Sequence, residues 1–242
     1  MTARFGSLAL LATLLLTAPA ASSAASSADA HDMLSCYGEF WRNTTTLAAD
    51  FSQAVHVPGI QEPVRTGGRF YFASPDHFRW DYTAGERQTV VGDGTWLWIY
   101  QHELEQVYRL DYRRAFGGGG LVALMGDTDL LESRYRSEVL ESDGPRVTLR
   151  LEKMPVSEHA AAETVEIVLR QPDCRPVSLQ LTDAIGSVTR MELAGLELDT
   201  VLAERLFHFE VPAGVDLIEE PAASAPEAAS PAGTAAEGGA GR

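Results

Sequence analysis

The chain has 242 residues, 34 acidic and 19 basic side chains, a formal net charge of −15, and an apolar content of 45%. This is the composition of a globular protein, not of a disordered or fibrous one. The acidity excludes a nucleic-acid binder, because phosphate contacts require a basic face.

The first 30 residues have the layout of a secretory signal. Arg4 supplies a positive start, Leu8 to Leu16 is almost wholly Leu and Ala, and Pro19 with small residues follows. The apolar run is too short to span a bilayer. Ala18-Pro19-Ala20 and Ala28-Asp29-Ala30 both offer a cleavage site. No Cys directly follows the run, and Cys36 lies too far along to be a lipid-attachment site. No later segment is apolar enough to cross a membrane. The expectation is an exported, soluble protein with one domain over residues 31–218.

Met33, Leu34, Tyr37, Phe40 and Trp41 recur at helical spacing, which predicts a helix over 32–50. From about residue 51 the period becomes two. Phe70 and Phe72 alternate with Arg69 and Tyr71, and Phe78, Trp80 and Tyr82 alternate with Arg79 and Asp81. The same alternation runs through Val147–Leu151, Val165–Leu169 and Val177–Leu181. Such runs are strands with one apolar and one wet face. Asp93-Gly94 and Asp143-Gly144 are hairpin turns, since both residue types accept positive φ. The fold class is mainly β (α+β), an antiparallel meander of about eleven strands curled into a barrel-like sheet. One helical interruption falls at 115–132, with Leu121, Leu124 and Met125 at helical spacing after the flexible Gly117–Gly120. Residues 219–242 are rich in Ala, Pro, Gly, Ser and Glu and predict a disordered tail.

No chemistry announces itself. None of the six histidines pairs with another ligand at metal-motif spacing. There is no G-x-S-x-G elbow and no S-x-x-K. The glycine run is not a phosphate loop, because no Gly-Lys-Ser/Thr follows it. Neither catalytic residues nor a metal or cofactor is expected. The two cysteines, Cys36 and Cys174, form a disulfide or stand as two buried thiols, and the sequence leaves both open. Aromatic residues crowd the strands between 70 and 100. They build either an ordinary barrel core or a concave apolar face that a short helix covers, which is a ligand cavity with a lid.

The segments GGRFYFASPDHFRWDY (67–82), QTVVGDGTWLWIY (88–100) and FHFEVPAGVDLI (207–218) resemble, in order, the LolA family of periplasmic lipoprotein carriers. The resemblance covers residues 32–218. It implies a curled half-barrel of eleven antiparallel strands with a helical lid over an apolar cavity. It implies a monomeric carrier, not an enzyme, that takes acylated lipoproteins from the inner-membrane ABC transporter LolCDE to the outer-membrane receptor LolB across the periplasm. A carrier of another acylated lipid or glycolipid in a dedicated export pathway is the alternative. The candidate acyl-chain-binding residues are Phe70, Phe72, Phe78, Trp80, Tyr82, Trp98, Leu121, Leu124 and Met125. Phe78 matches the family's Phe-x-Trp motif, expected at the cavity mouth. The chain departs from the family at Ser74, where an Arg before the proline latches the lid. Arg79 is close by, but strand alternation turns it to the opposite face. Either another residue closes the cavity here or the empty protein is more open.

Overall fold

The computed structural model describes residues 27–112, 115, 128–154 and 163–219. Its backbone is one curled sheet of twelve strands with helices on its inner side. Helix α1 (Ser27–Asn43) leads into β1 (Thr46–His56), β2 (Val64–Ala73), β3 (His77–Ala84), β4 (Gln88–Asp93), β5 (Trp96–Gln101) and β6 (Gln106–Asp111). After α2 (Thr128–Arg134) come β7 (Tyr135–Asp143), β8 (Arg146–Lys153), β9 (Thr164–Arg170), β10 (Arg175–Thr182), β11 (Val188–Leu198) and β12 (Asp216–Glu219).

The strand order is β12-β6-β5-β4-β3-β2-β1-β11-β10-β9-β8-β7. Two antiparallel meanders, β1–β6 and β7–β11, therefore meet at a single seam where β1 pairs with β11. All neighbours are antiparallel except the last: β12 runs parallel to β6. The eleven antiparallel strands match the expectation, and β12 is an addition that alternation cannot reveal in four residues.

Helix α1 ends sooner than its apolar spacing predicts. Thr44 turns back on it, with both its amide and its Oγ1 donating to the Phe40 carbonyl, at 3.1 and 2.7 Å. The β-branched run Thr44-Thr45-Thr46 then enters β1, since such residues favour extended backbone. Leu47, Ala49 and Phe51 face inward from β1, so the chain is already in strand from Thr46, within the stretch expected to be helix. At its other end α1 starts at Ser27, and Ala30 is already fully buried.

One stripe of α1, formed by Ala30, Leu34, Tyr37, Phe40 and Trp41, packs over the β7–β10 half. There it meets Leu149, Leu151, Ile167 and Leu169, all with no exposed surface. A Cys36–Cys174 disulfide joins the helix to the β9–β10 turn. Burying such side chains is worth about 1.5–3 kcal/mol each before entropy is counted, so this half holds the stable core.

Close backbone approach fixes one glycine. A Cβ on Gly68 of β2 would lie 1.8 Å from the Asp81 carbonyl oxygen of β3. Backbone cannot yield as a side chain does. Gly68→Ala is expected to cost about 2–3 kcal/mol, read as a lower denaturant midpoint at unchanged slope.

Candidate ligand-binding face

Pairing register decides which side chains look inward. Phe72 opposes Phe78, Phe70 opposes Trp80, and Gly68 opposes Tyr82. Phe78 opposes Gly92 and Trp80 opposes Val90, which in turn meet Leu97 and Ile99 of β5. Leu97 meets Leu110, and Ile99 meets Tyr108. Every inward position of β1–β6 reached through this register is uncharged.

The aromatic rings interlock. Phe70 stacks on Trp80 at 4.2 Å between centroids. Phe51 meets Trp80 and Tyr82 edge-on at 4.8 and 4.9 Å. Trp41 of α1 reaches Phe72 at 5.2 Å, tying the helix to this half. Each such pair adds about 0.5–1.5 kcal/mol beyond the area it buries. Tyr82 donates its hydroxyl to Gln53 Oε1 at 3.3 Å, and burial pushes its phenol up to about 12. Burial likewise raises Tyr112, with Asp76 adding to the effect. The face therefore stays neutral across the physiological range.

Of the nine expected residues, Phe70, Phe72, Phe78, Trp80 and Tyr82 do share this face. Phe78 stands on the inward row beside turns 74–76 and 94–95, yet it is 2% exposed, with its ring over Gly92 and tilted against Tyr112. A Cβ on Gly92 would sit 2.2 Å from that ring, so glycine provides the seat. Trp98 is a correction. It pairs with Val91 on the outer face, donates its indole N–H to Asp93 Oδ2 at 2.9 Å, and stacks on Phe209. Leu121, Leu124 and Met125 lie outside the described residues. Phe51, Leu97, Ile99, Leu110 and Tyr112 join the face although aromatic density alone does not single them out as site residues.

The outer face is built differently. Residues 200–215 pack on it, with Phe207 against His77 and Phe209 against Trp98 and Tyr100, and Val91 and Val107 of the same face are fully buried. Arg79 points outward as alternation requires, donating to Asp81 at 2.7 Å and to the Leu206 carbonyl at 3.3 Å. It thus ties down the C-terminal crossing. Thr89 bonds Asp81 and lies 3.1 Å from His102 Nε2, whose basicity burial and Arg87 lower. Ser74, the position of the family's latch, lines an outer cavity of about 670 Å³ with Ala73, His77, Trp96 and Phe207. Ser74 is therefore part of an outer wall. Among the described residues no His, Cys, Asp and Glu cluster could hold a metal ion, and no helix is long and apolar enough to cross a membrane.

The family model "Outer membrane lipoprotein carrier protein LolA" matches residues 42–210. The outer-membrane lipoprotein carrier protein of Alkalilimnicola ehrlichii is 31% identical over 180 residues, covering 74% of this chain and 80% of the relative. That of Methylococcus capsulatus is 33% identical over 181 residues, covering 75% and 85%. Among solved structures, an uncharacterized conserved protein from Thermus thermophilus superposes with a TM-score of 0.51 at 14% identity, covering 79% of this chain and 99% of that one. That likeness speaks for the fold alone.

Proposed function

The chain belongs to the LolA family of outer-membrane lipoprotein carrier proteins, and from that premise we propose that it shields the acyl chains of lipoproteins on the inner face of the β1–β6 half while they cross the periplasm. It takes them from the inner-membrane transporter LolCDE and surrenders them to the receptor LolB, as a monomer and without covalent chemistry. The observation that carries this reading is the uncharged inner face, with Phe70, Phe72, Phe78, Trp80 and Tyr82 side by side on neighbouring strands. Each methylene taken out of water is worth about 0.8 kcal/mol, so a multiply acylated protein cannot cross an aqueous space alone. A face of aromatic and aliphatic groups offers comparable apolar surroundings without a charge to desolvate.

The exported chain suits a leader cut near Ala20 better than one cut after Ala30. Ala30 is buried in the first turn of α1, and a cut after it would remove that turn and the buried side chain with it. The test of the function is to recover the protein from the periplasm and identify what it holds by mass spectrometry. Acylated polypeptide is the expected finding. A lipid or glycolipid without polypeptide would move the protein to a different export pathway, and an empty protein that also fails to release lipoproteins from spheroplasts would remove the carrier role.

A further inference from the structure

The inner face changes character along the strands. Toward the rim formed by turns 74–76 and 94–95 it is aromatic and aliphatic. Toward the opposite rim, formed by connections 57–63, 85–87, 102–105 and 183–187, a row of neutral polar groups runs across four strands. Tyr82 of β3 opposes Gln88 of β4, Gln88 opposes Gln101 of β5, and Gln101 opposes Gln106 of β6. Each stands two residues beyond an inward apolar or aromatic neighbour, Trp80, Val90, Ile99 and Tyr108 in turn, so all four share the inner face. On β2 and β1 the same row reaches Gly68 and Phe51, and the next inward pair toward the rim, Thr66 and Gln53, is polar, with Gln53 accepting from the Tyr82 hydroxyl.

This belt has spare hydrogen-bonding capacity. Among the described residues, Thr66 Oγ1 and the indole N–H of Trp80 are buried without a partner. Gln106 accepts from the Tyr108 hydroxyl at 3.2 Å, which leaves its amide N–H groups to donate elsewhere. A buried N–H left unpaired is costly unless something supplies an acceptor. The belt holds amides, hydroxyls and an indole but no charge, which suits carbonyl oxygens and not phosphates or carboxylates. Beyond it, the rim shows isolated apolar tips: Ile60, Leu104 and Ile185 are 55, 58 and 76% exposed.

We propose that Gln88, Gln101 and Gln106, with the indole N–H of Trp80, hold the ester carbonyls at the head of a diacylglyceryl ligand, while the Tyr82 hydroxyl stays committed to Gln53. The acyl chains then run toward Phe70, Phe72 and Phe78, and the attached polypeptide leaves past Ile60, Leu104 and Ile185. This rests on the carrier reading and gives it a direction.

The test uses a synthetic peptide bearing an S-linked dipalmitoylglyceryl cysteine, and the same peptide with both esters replaced by ethers. Chain length and apolar area are closely matched, so the carbonyls are what differs. The protein is expected to bind the ester form about tenfold more tightly, the scale of one or two buried hydrogen bonds. In a Gln88→Leu/Gln101→Leu/Gln106→Leu variant that preference should fall to within about twofold, mostly through weaker ester binding. Gln101→Leu alone is measured alongside and should lose part of the preference, so the outcome does not hang on the triple variant folding. Equal binding of both ligands by the unaltered protein, or a preference that survives the substitutions, overturns the head-group assignment and leaves the carrier reading intact. Binding of neither ligand removes the carrier reading and this assignment with it.

Discussion

Removing the Cys36–Cys174 bond, by reductant or by Cys36→Ala/Cys174→Ala, is expected to lower the melting temperature by roughly 10–20 °C. The two cysteines are 138 residues apart in sequence. Closing so long a loop removes chain entropy from the unfolded state worth about 5 kcal/mol. Without the bond, α1 remains on β7–β10 only through Leu34, Tyr37, Phe40 and Trp41 and their neighbours. The native sheet should still form at room temperature, since nothing in its ladder passes through the cysteines. Thermal melting with and without reductant decides the matter. A shift of only a few degrees would mean that the unfolded chain is already compact around α1, so that the loop costs little to close.

The second large effect is at Phe78. Phe78→Glu is expected to destabilise the domain by about 3–5 kcal/mol. The replaced ring lies over Gly92, 2% exposed, and the new carboxylate would stand among Phe72, Trp80, Leu97 and Tyr112. Phe78→Leu keeps the apolar character but leaves a gap against Gly92, and should cost about 1–2 kcal/mol. Denaturant unfolding of the two variants separates burial from polarity. If the Glu variant unfolds at nearly the midpoint of the Leu variant, the ring is reached by solvent in the resting protein and the face opens spontaneously.

The sheet is legible in the sequence where alternation is clean. Val147, Leu149 and Leu151, then Val165, Ile167 and Leu169, fall on the inner side as their spacing requires. The start of β1 is hidden, because Leu47-Ala48-Ala49 continues a helix-forming pattern and only Phe51, Gln53 and Val55 reveal the strand period. Trp98 shows a different limit. Period two assigns residues to two faces but does not say that both are covered. The run WLWIY (96–100), apolar at every position, carries the clue that β5 is sandwiched, with Leu97 and Ile99 inward and Trp98 and Tyr100 under Phe209. The polar row is invisible for another reason. Gln88, Gln101 and Gln106 are single glutamines on three strands, and only the pairing register lines them up.

The seam between β1 and β11 governs how the molecule comes into being. Phe51 pairs with Leu193, so the strand that closes one meander waits for a partner encoded near the far end of the chain. Contacts at such separation pay loop-closure entropy before they return any stability, and they form late. A chain that emerges from a membrane N-terminus first would expose Leu47, Phe51 and the β2–β3 aromatics as an unpaired apolar edge until β11 arrives. Such an edge recruits strands from other chains. The protein that escorts greasy cargo is thus, during its own biogenesis, a candidate client for the same kind of help.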